Sequence, residues 1–273
     1  MTNTGEYLPE DRIVILVGNY GSGKTEVSVS LAIHLARNHK VAIADLDIVN
    51  PYFRCREARE EMEKEGIRVI NPSGEYQAAD LPIILPEIRG AVQEGEEFLI
   101  LDVGGDDVGA RVLSSLADIF AGRAYTMLQV VNARRPFTQT VEGCLKIKGE
   151  IEAASRLSVT GPVSNTHLMD ETDAAVILEG IALARTVGEK TGLPVAFVTA
   201  DETLKKEFSA AGDRFGKASK ASKASKAGKA GKSGRADDGT GGIPVHWLQR
   251  RMLPPWKLKS KTDKAARVLN RKT

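Results

Sequence analysis

The chain has 273 residues, 42% hydrophobic and 27% charged, with a formal net charge of +2, the composition of a globular protein able to bury a full core. No run approaches the roughly 18 apolar residues that span a bilayer, and "MTNTGEYLPEDR" lacks the basic-then-apolar pattern of a secretory signal, so a cytoplasmic location is expected. Residues 216–242 hold seven Lys/Arg against two Asp/Glu and residues 243–273 nine against one, so an acidic body carries a basic tail.

In chain order, apolar runs of strand length are expected at Ile13 to Val17, Val41 to Ala44, Phe98 to Leu101, Met127 to Val131, Leu157 to Val163 and Val195 to Val198. Between them, helices are expected at Lys24 to Asn38, Arg54 to Glu65, Leu81 to Glu94, Ala110 to Phe120, Thr138 to Ala154 and Glu171 to Gly188. Near-continuous apolar strands alternating with helices predict an α/β fold, a mostly parallel central sheet covered by helices on both faces. "VSVSLAIHL", Val27 to Leu35, alternates with period 2 and reads as a strand in isolation. The loop before it decides for helix, and Val27, Leu31 and Leu35 also fall four apart on one helical face.

Residues 216–242, "GKASKASKASKAGKAGKSGRADDGTGG", carry a Lys about every third position and almost nothing apolar, which predicts a disordered insertion. Ile243 to Trp247 suits a last strand, and Pro254-Pro255 end that element. The domain therefore reads as residues 1–215, an insertion, and a final strand with a basic tail at 243–273 that completes the same domain.

Cys55 and Cys144 lie far apart, without a second thiol or histidine at ligand spacing, so neither a disulfide framework nor a structural zinc site is suggested and free, partly buried thiols are expected. His34, His39, His167 and His246 are equally scattered and read as packed or surface residues.

The chemistry sits in "GNYGSGKT". Gly18, Gly23, Lys24 and Thr25 meet the phosphate-loop pattern G-x-x-x-x-G-K-[ST], with a buried strand before and a helix after. The cradle comprises Gly18, Asn19, Tyr20, Gly21, Ser22, Gly23, Lys24, Thr25 and Glu26. Its glycines free backbone N–H groups to face phosphate oxygens, Lys24 supplies a charge at the β/γ-phosphates, and Thr25 offers a hydroxyl to Mg²⁺.

Such a loop needs an acidic residue at the end of another apolar strand. "FLILDVGGDD" supplies Asp102, followed by Gly104-Gly105 as a turn able to sense a γ-phosphate. Asp45 and Asp47, two apart in an extended chain, point the same way. Asp47 is read as orienting the attacking water and Asp45 as supporting the Mg²⁺ shell, with a structural loop carboxylate the alternative for each.

These residues resemble the SIMIBI class of P-loop NTPases and, within it, the MinD/ParA/CobQ-CobB nucleotide-binding family, over about Arg12 to Thr199. "GNYGSGKT" corresponds to Walker A, "DLD" follows the second strand, "LDVGG" corresponds to Walker B with its switch, and "VSNTH" comes late in the domain. The resemblance implies a three-layer fold, binding of ATP with Mg²⁺, hydrolysis that drives exchange of a protein partner at the switch turns, and a homodimer around two nucleotides. It also implies that Asn165 reads the adenine edge, a strand-end turn residue being the alternative.

Two positions depart from that pattern. Asn19 stands where the family's loop has a lysine that completes the neighbouring subunit's site, and Tyr20 stands where it has glycine. Trans activation by a lysine at this position is therefore excluded. The spelling "GSGKT" also resembles metallochaperone GTPases of the same class, but no N-K-x-D guanine motif and no Cys/His ligand set occur, so ATP is the expected nucleotide. An amidoligase would need a glutaminase domain with a Cys nucleophile, and no Cys occurs beyond Gly188.

Three features stay open. Arg134-Arg135 in "NARRPFTQT" read as a solvated loop or as an approach to the phosphates. "RRMLPPW", with Trp256, reads as a packed element or a docking one. The Lys-rich segment is a soluble spacer, a binder of nucleic acid or anionic membrane through counterion release, or a tail docked on the acidic body.

Overall fold

Ile13–Val17, Val41–Leu46, Phe98–Val103 and Thr126–Val131 are buried along their whole lengths. Strands buried on both faces require a helical layer on each. The computed structural model describes residues 7–46, 58–70, 85–95, 98–105, 107–208, 240 and 242–249. Its elements are β1 (Ile13–Val17), α1 (Lys24–Ala36), β2 (Val41–Leu46), α2 (Arg59–Lys64), β3 (Arg68–Ile70), α3 (Leu85–Glu94), β4 (Phe98–Val103), α4 (Asp107–Ser114) and α5 (Ala117–Phe120). They continue with β5 (Thr126–Val131), α6 (Val141–Ser155), β6 (Gly161–Ser164), α7 (Ala174–Thr191), β7 (Phe197–Asp201) and β8 (Val245–Leu248).

The eight strands form one sheet in the order β3-β2-β4-β1-β5-β6-β7-β8, and every neighbouring pair is parallel. Alternate residues of the central strand feed opposite cores. Ile13, Ile15 and Val17 join Ile88, Val92, Leu113 and Phe120 on one face, while Val14 and Leu16 join Val27, Leu31, Leu35 and Met62 on the other. A smaller cluster closes the far edge, where Ile177, Ile181, Val198 and Phe208 pack with Trp247. Among the described residues no helix is long and apolar enough to cross a membrane.

The alternation that made α1 ambiguous has a structural cause. Ser28 and Ser30 are buried like the apolar residues beside them, each with a buried partner: Ser28 Oγ donates to Asp102 Oδ1 at 3.1 Å, and Ser30 Oγ lies 3.0 Å from His246 Nε2. Their hydroxyls are satisfied inside, so a helix enclosed on most of its surface shows no clean 3.6-residue period.

Several boundaries differ from expectation. β2 and β4 each run two residues further, so Asp45 and Asp102 lie within strands and not on loops. The single helix expected over 110–120 is two, because Ser115 and Leu116 N–H groups bond back to Val112 and Leu113 and tighten the turn. The short strand β3 was not expected, and β6 begins at Gly161 rather than Leu157. The expected helix starts at Arg54 and Leu81, together with Asp47, Cys55, Trp256, the Lys-rich insertion to 239 and the tail from 250, lie outside the described residues.

Candidate functional site

The loop between β1 and α1 is shaped by glycine. Gly18 has φ 147°, and a Cβ there would lie 2.5 Å from the Val130 carbonyl oxygen; Gly23 has φ 88°, and its Cβ would lie 2.3 Å from Asn165 Nδ2. Neither position admits a side chain. Gly23 also caps α1 without any side-chain hydrogen bond to the helix's first N–H groups. Those donors, at the positive end of the helix dipole, are left for an anion.

Lys24 is only 6% exposed, and its Nζ donates to the Asn19 carbonyl at 3.1 Å. The turn after β4 closes over it: a Cβ on Gly105 would lie 2.8 Å from Lys24 Nζ and 2.7 Å from the Tyr20 backbone nitrogen. The second glycine of "DVGG" is thus required by contact with the phosphate loop.

Asp45 and Asp102 are register partners on β2 and β4, both fully buried on the sheet face covered by α1. Burial, then the neighbouring Asp45 charge, pushes the Asp102 carboxyl up to about 7, while Lys24 and the Thr25 and Ser28 hydroxyls pull the other way. Asp102 Oδ2 is buried without a hydrogen-bond partner. A divalent cation fits these residues, since it would occupy the unpartnered oxygen and remove the like-charge penalty. Among the described residues no group of three or more His, Cys, Asp or Glu that could hold a metal stands together.

A cavity of about 310 Å³ runs from this loop to the C-terminal ends of β6, β7 and β8. Tyr20, Gly21, Gly23, Lys24, Thr25 and Glu26 line it together with His167, Thr199, Asp201 and Leu248. Ligands of open α/β sheets bind at this edge, beyond the carboxyl ends of the strands. Asp201 holds the following turn by accepting from Thr203 N at 3.0 Å and Thr203 Oγ1 at 2.6 Å.

Two of the expected binding residues are tied within the protein. Asn165 lines the cavity, yet its Nδ2 donates to the Ser22 carbonyl at 2.6 Å and its Oδ1 accepts from Thr199 Oγ1 at 2.5 Å. The amide is engaged within the protein, as a strut between the phosphate loop and the end of β7, instead of presenting a free edge to a base. Asn19 also turns from the cradle, and its Nδ2 donates to the Pro136 carbonyl at 3.0 Å. Tyr20 is 64% exposed at the cavity rim.

Sequence reasoning left Arg135 open between a solvated loop and an approach to the phosphates, and missed His167, Thr199, Asp201 and Leu248 as lining residues. Asp201 and Leu248 carried a usable signal, since both end apolar runs; His167 and Thr199 carried none. Together, the parallel sheet, the glycine loop, the helix whose first N–H groups it leaves without a side-chain cap, and the paired strand carboxylates define a three-layer α/β fold of the P-loop NTPase type.

No family model matches the chain, and no curated protein matches it. Among solved structures it is similar to FtsY from Mycoplasma mycoides, with 18% identity and a TM-score of 0.47, over 73% of this chain and 64% of that one. It is similar to the cell division protein FtsY from Thermotoga maritima, with 20% identity and a TM-score of 0.48, over 74% of this chain and 66% of that one. For the signal recognition particle 54 kDa protein from Aeropyrum pernix, in complex with GDP, the values are 21% and 0.47, over 74% and 45%. The chain thus spans less than two thirds of the length of each of these proteins.

Proposed function

We propose that the chain binds a Mg²⁺-nucleoside triphosphate, ATP, hydrolyses it slowly, and uses the cycle as a switch that exchanges a protein partner. The carrying observation is that an uncapped, glycine-shaped helix N-terminus and buried Lys24 line one cavity, with the unpartnered oxygen of Asp102 buried beside the same helix, where Asp102 accepts from Ser28. The N–H groups of α1 and Lys24 would hold the β- and γ-phosphates. Thr25, Asp102 and Asp45 would hold Mg²⁺, which supplies charge neutralisation at the phosphates when bound.

Asp47, one residue beyond the end of β2, would orient the attacking water. The Gly104-Gly105 turn, in contact with the loop at Tyr20, would report the γ-phosphate to a partner. A homodimer around two nucleotides, and binding of nucleic acid or anionic membrane by the Lys-rich insertion, belong to the same reading as accessory properties. The test is steady-state hydrolysis by wild type, Lys24→Ala and Asp47→Ala; equal rates in all three would sink the assignment.

GTP is the second reading, favoured by the carboxylate of Asp201 in the cavity lining. Guanine presents N1–H and N2–H₂ to one carboxylate, and adenine offers no such pair. Competition of ATP against GTP for the site decides between them, and tighter GTP binding would overturn the choice of ATP.

A further inference from the structure

The phosphate loop lacks a second cation of its own, since Asn19 is neutral and faces away. The structure brings one from elsewhere. The segment after β5, residues 132–138, folds back over the loop and carries two adjacent arginines with different surroundings. Arg134 is committed to the surface, paired with Glu179. Arg135 lines the nucleotide cavity, and its Cδ and Nε lie 3.8 Å from where a Cβ on Gly21 would stand. Its Nε is buried without a hydrogen-bond partner. A guanidinium nitrogen in that condition is costly unless an anion completes it.

The segment is fixed by its own contacts. The Asn132 carbonyl accepts from Arg135 N at 3.1 Å and from Thr138 Oγ1 at 2.8 Å, and Asn132 Oδ1 accepts from Arg134 N at 2.9 Å. Asn132 and Thr138 are both fully buried. The last tie comes from the phosphate loop, through the hydrogen bond from Asn19 to the Pro136 carbonyl. The residue that replaces a lysine therefore braces the backbone carrying an arginine.

We propose that Arg135 is a catalytic residue acting in cis, its guanidinium contacting the γ-phosphate and stabilising the charge that develops as that phosphate is transferred to water. In that step a water oxygen forms a bond to Pγ while the bond from Pγ to the β-phosphate oxygen breaks. The bonding pair leaves with the nucleoside diphosphate, and the proton lost by water passes to the released phosphate. Arg135 changes no protonation state and supplies fixed positive charge in a planar fork that suits two phosphate oxygens. An arginine in this role contributes about 10³-fold or more to the rate in other phosphate-loop enzymes.

This inference rests on the proposed nucleotide site and is tested with the full chain. Wild type, Arg135→Ala, Arg135→Lys, Arg134→Ala and Lys24→Ala are compared by single-turnover hydrolysis, and by titration with the nucleoside diphosphate alone and with aluminium fluoride, using whichever base competition selects. Melting curves verify the fold of each variant. Arg135→Ala is expected to keep diphosphate affinity within about 3-fold, lose the tightening that aluminium fluoride gives wild type, and hydrolyse at least about 100-fold more slowly. Arg135→Lys recovers part of the rate, and Arg134→Ala behaves as wild type. Should Arg135→Ala retain wild-type hydrolysis or aluminium fluoride tightening, the arginine has no such role, while the nucleotide site stands. Loss of diphosphate affinity equal to that of Lys24→Ala also overturns the role, reducing Arg135 to general phosphate binding. Wild type that binds no nucleotide overturns the site and the arginine together.

Discussion

Asp45 and Asp102 stand side by side as register partners on β2 and β4, both fully buried, with one oxygen of Asp102 lacking any partner. Burial, and then repulsion between two carboxylates so placed, push the Asp102 carboxyl up to about 7. Asp102→Asn keeps an oxygen for Ser28 and removes the repulsion. Without ligand the variant is expected to melt above wild type, a gain of 1 kcal/mol raising Tm by about 2–4 °C in a chain of this size. With Mg²⁺ and nucleotide the order reverses, because the variant loses a cation ligand. Thermal melts with and without Mg²⁺-nucleotide check both signs, and equal ligand stabilisation of the two proteins would contradict the assignment.

A pH effect is expected at the other end of α1. His246 on β8 is buried against Ser30 and Phe197, and burial, with the charges of His34 and Arg37, pushes its pKa down to about 4 from 6.5. Between those values the unfolded chain binds a proton that the native chain does not. Stability is therefore full above about 6.5 and falls as pH drops toward about 4, by up to about 3 kcal/mol at roughly 1.4 kcal/mol per pKa unit. His246→Gln, able to hydrogen-bond to Ser30 but not to titrate, should lose less stability between pH 7 and 4.5 than wild type. Parallel denaturation curves for the two would refute it.

Asn165→Ala tests the strut. The change leaves the Ser22 carbonyl without its side-chain partner, which costs about 1–3 kcal/mol for a buried group, while the Thr199 hydroxyl keeps the Ser164 carbonyl. Because the phosphate loop is what loosens, affinity is expected to fall by the same factor for ATP and GTP. A loss confined to one base would return Asn165 to base recognition.

Gly105→Ala isolates the sensing turn. The added methyl would press on the Tyr20 backbone as well as on the flexible Lys24 side chain, so the turn is forced off the loop. Hydrolysis should drop well below wild type with the melting temperature changed by only a few degrees. Unaltered turnover would show that the contact is dispensable.

Much of this was legible in the chain. β1, the phosphate loop and the start of α1 are marked by an apolar run, fixed glycine spacing and a lysine, because each is dictated by local backbone chemistry. Asp102 was legible as the polar residue closing an apolar strand. The joint burial of Asp45 and Asp102 was not, since it depends on β2 and β4 being neighbours in register, a relation with no local trace. Arg135 was named and left open for the same reason: "NARRPF" offers two arginines alike, and only the folded segment separates the one paired with Glu179 from the one over Gly21. The ties of Asn165 to Ser22 and Thr199 were not legible, because a buried amide and a base-reading amide carry the same sequence signature.

The most direct test of the central claim is calorimetric titration of the full chain with nucleoside triphosphate in the presence of Mg²⁺, for wild type and Lys24→Ala. The account predicts saturable one-to-one binding to wild type that weakens when Mg²⁺ is chelated and vanishes in the variant. Absence of binding to wild type, or equal binding to both proteins, would contradict it.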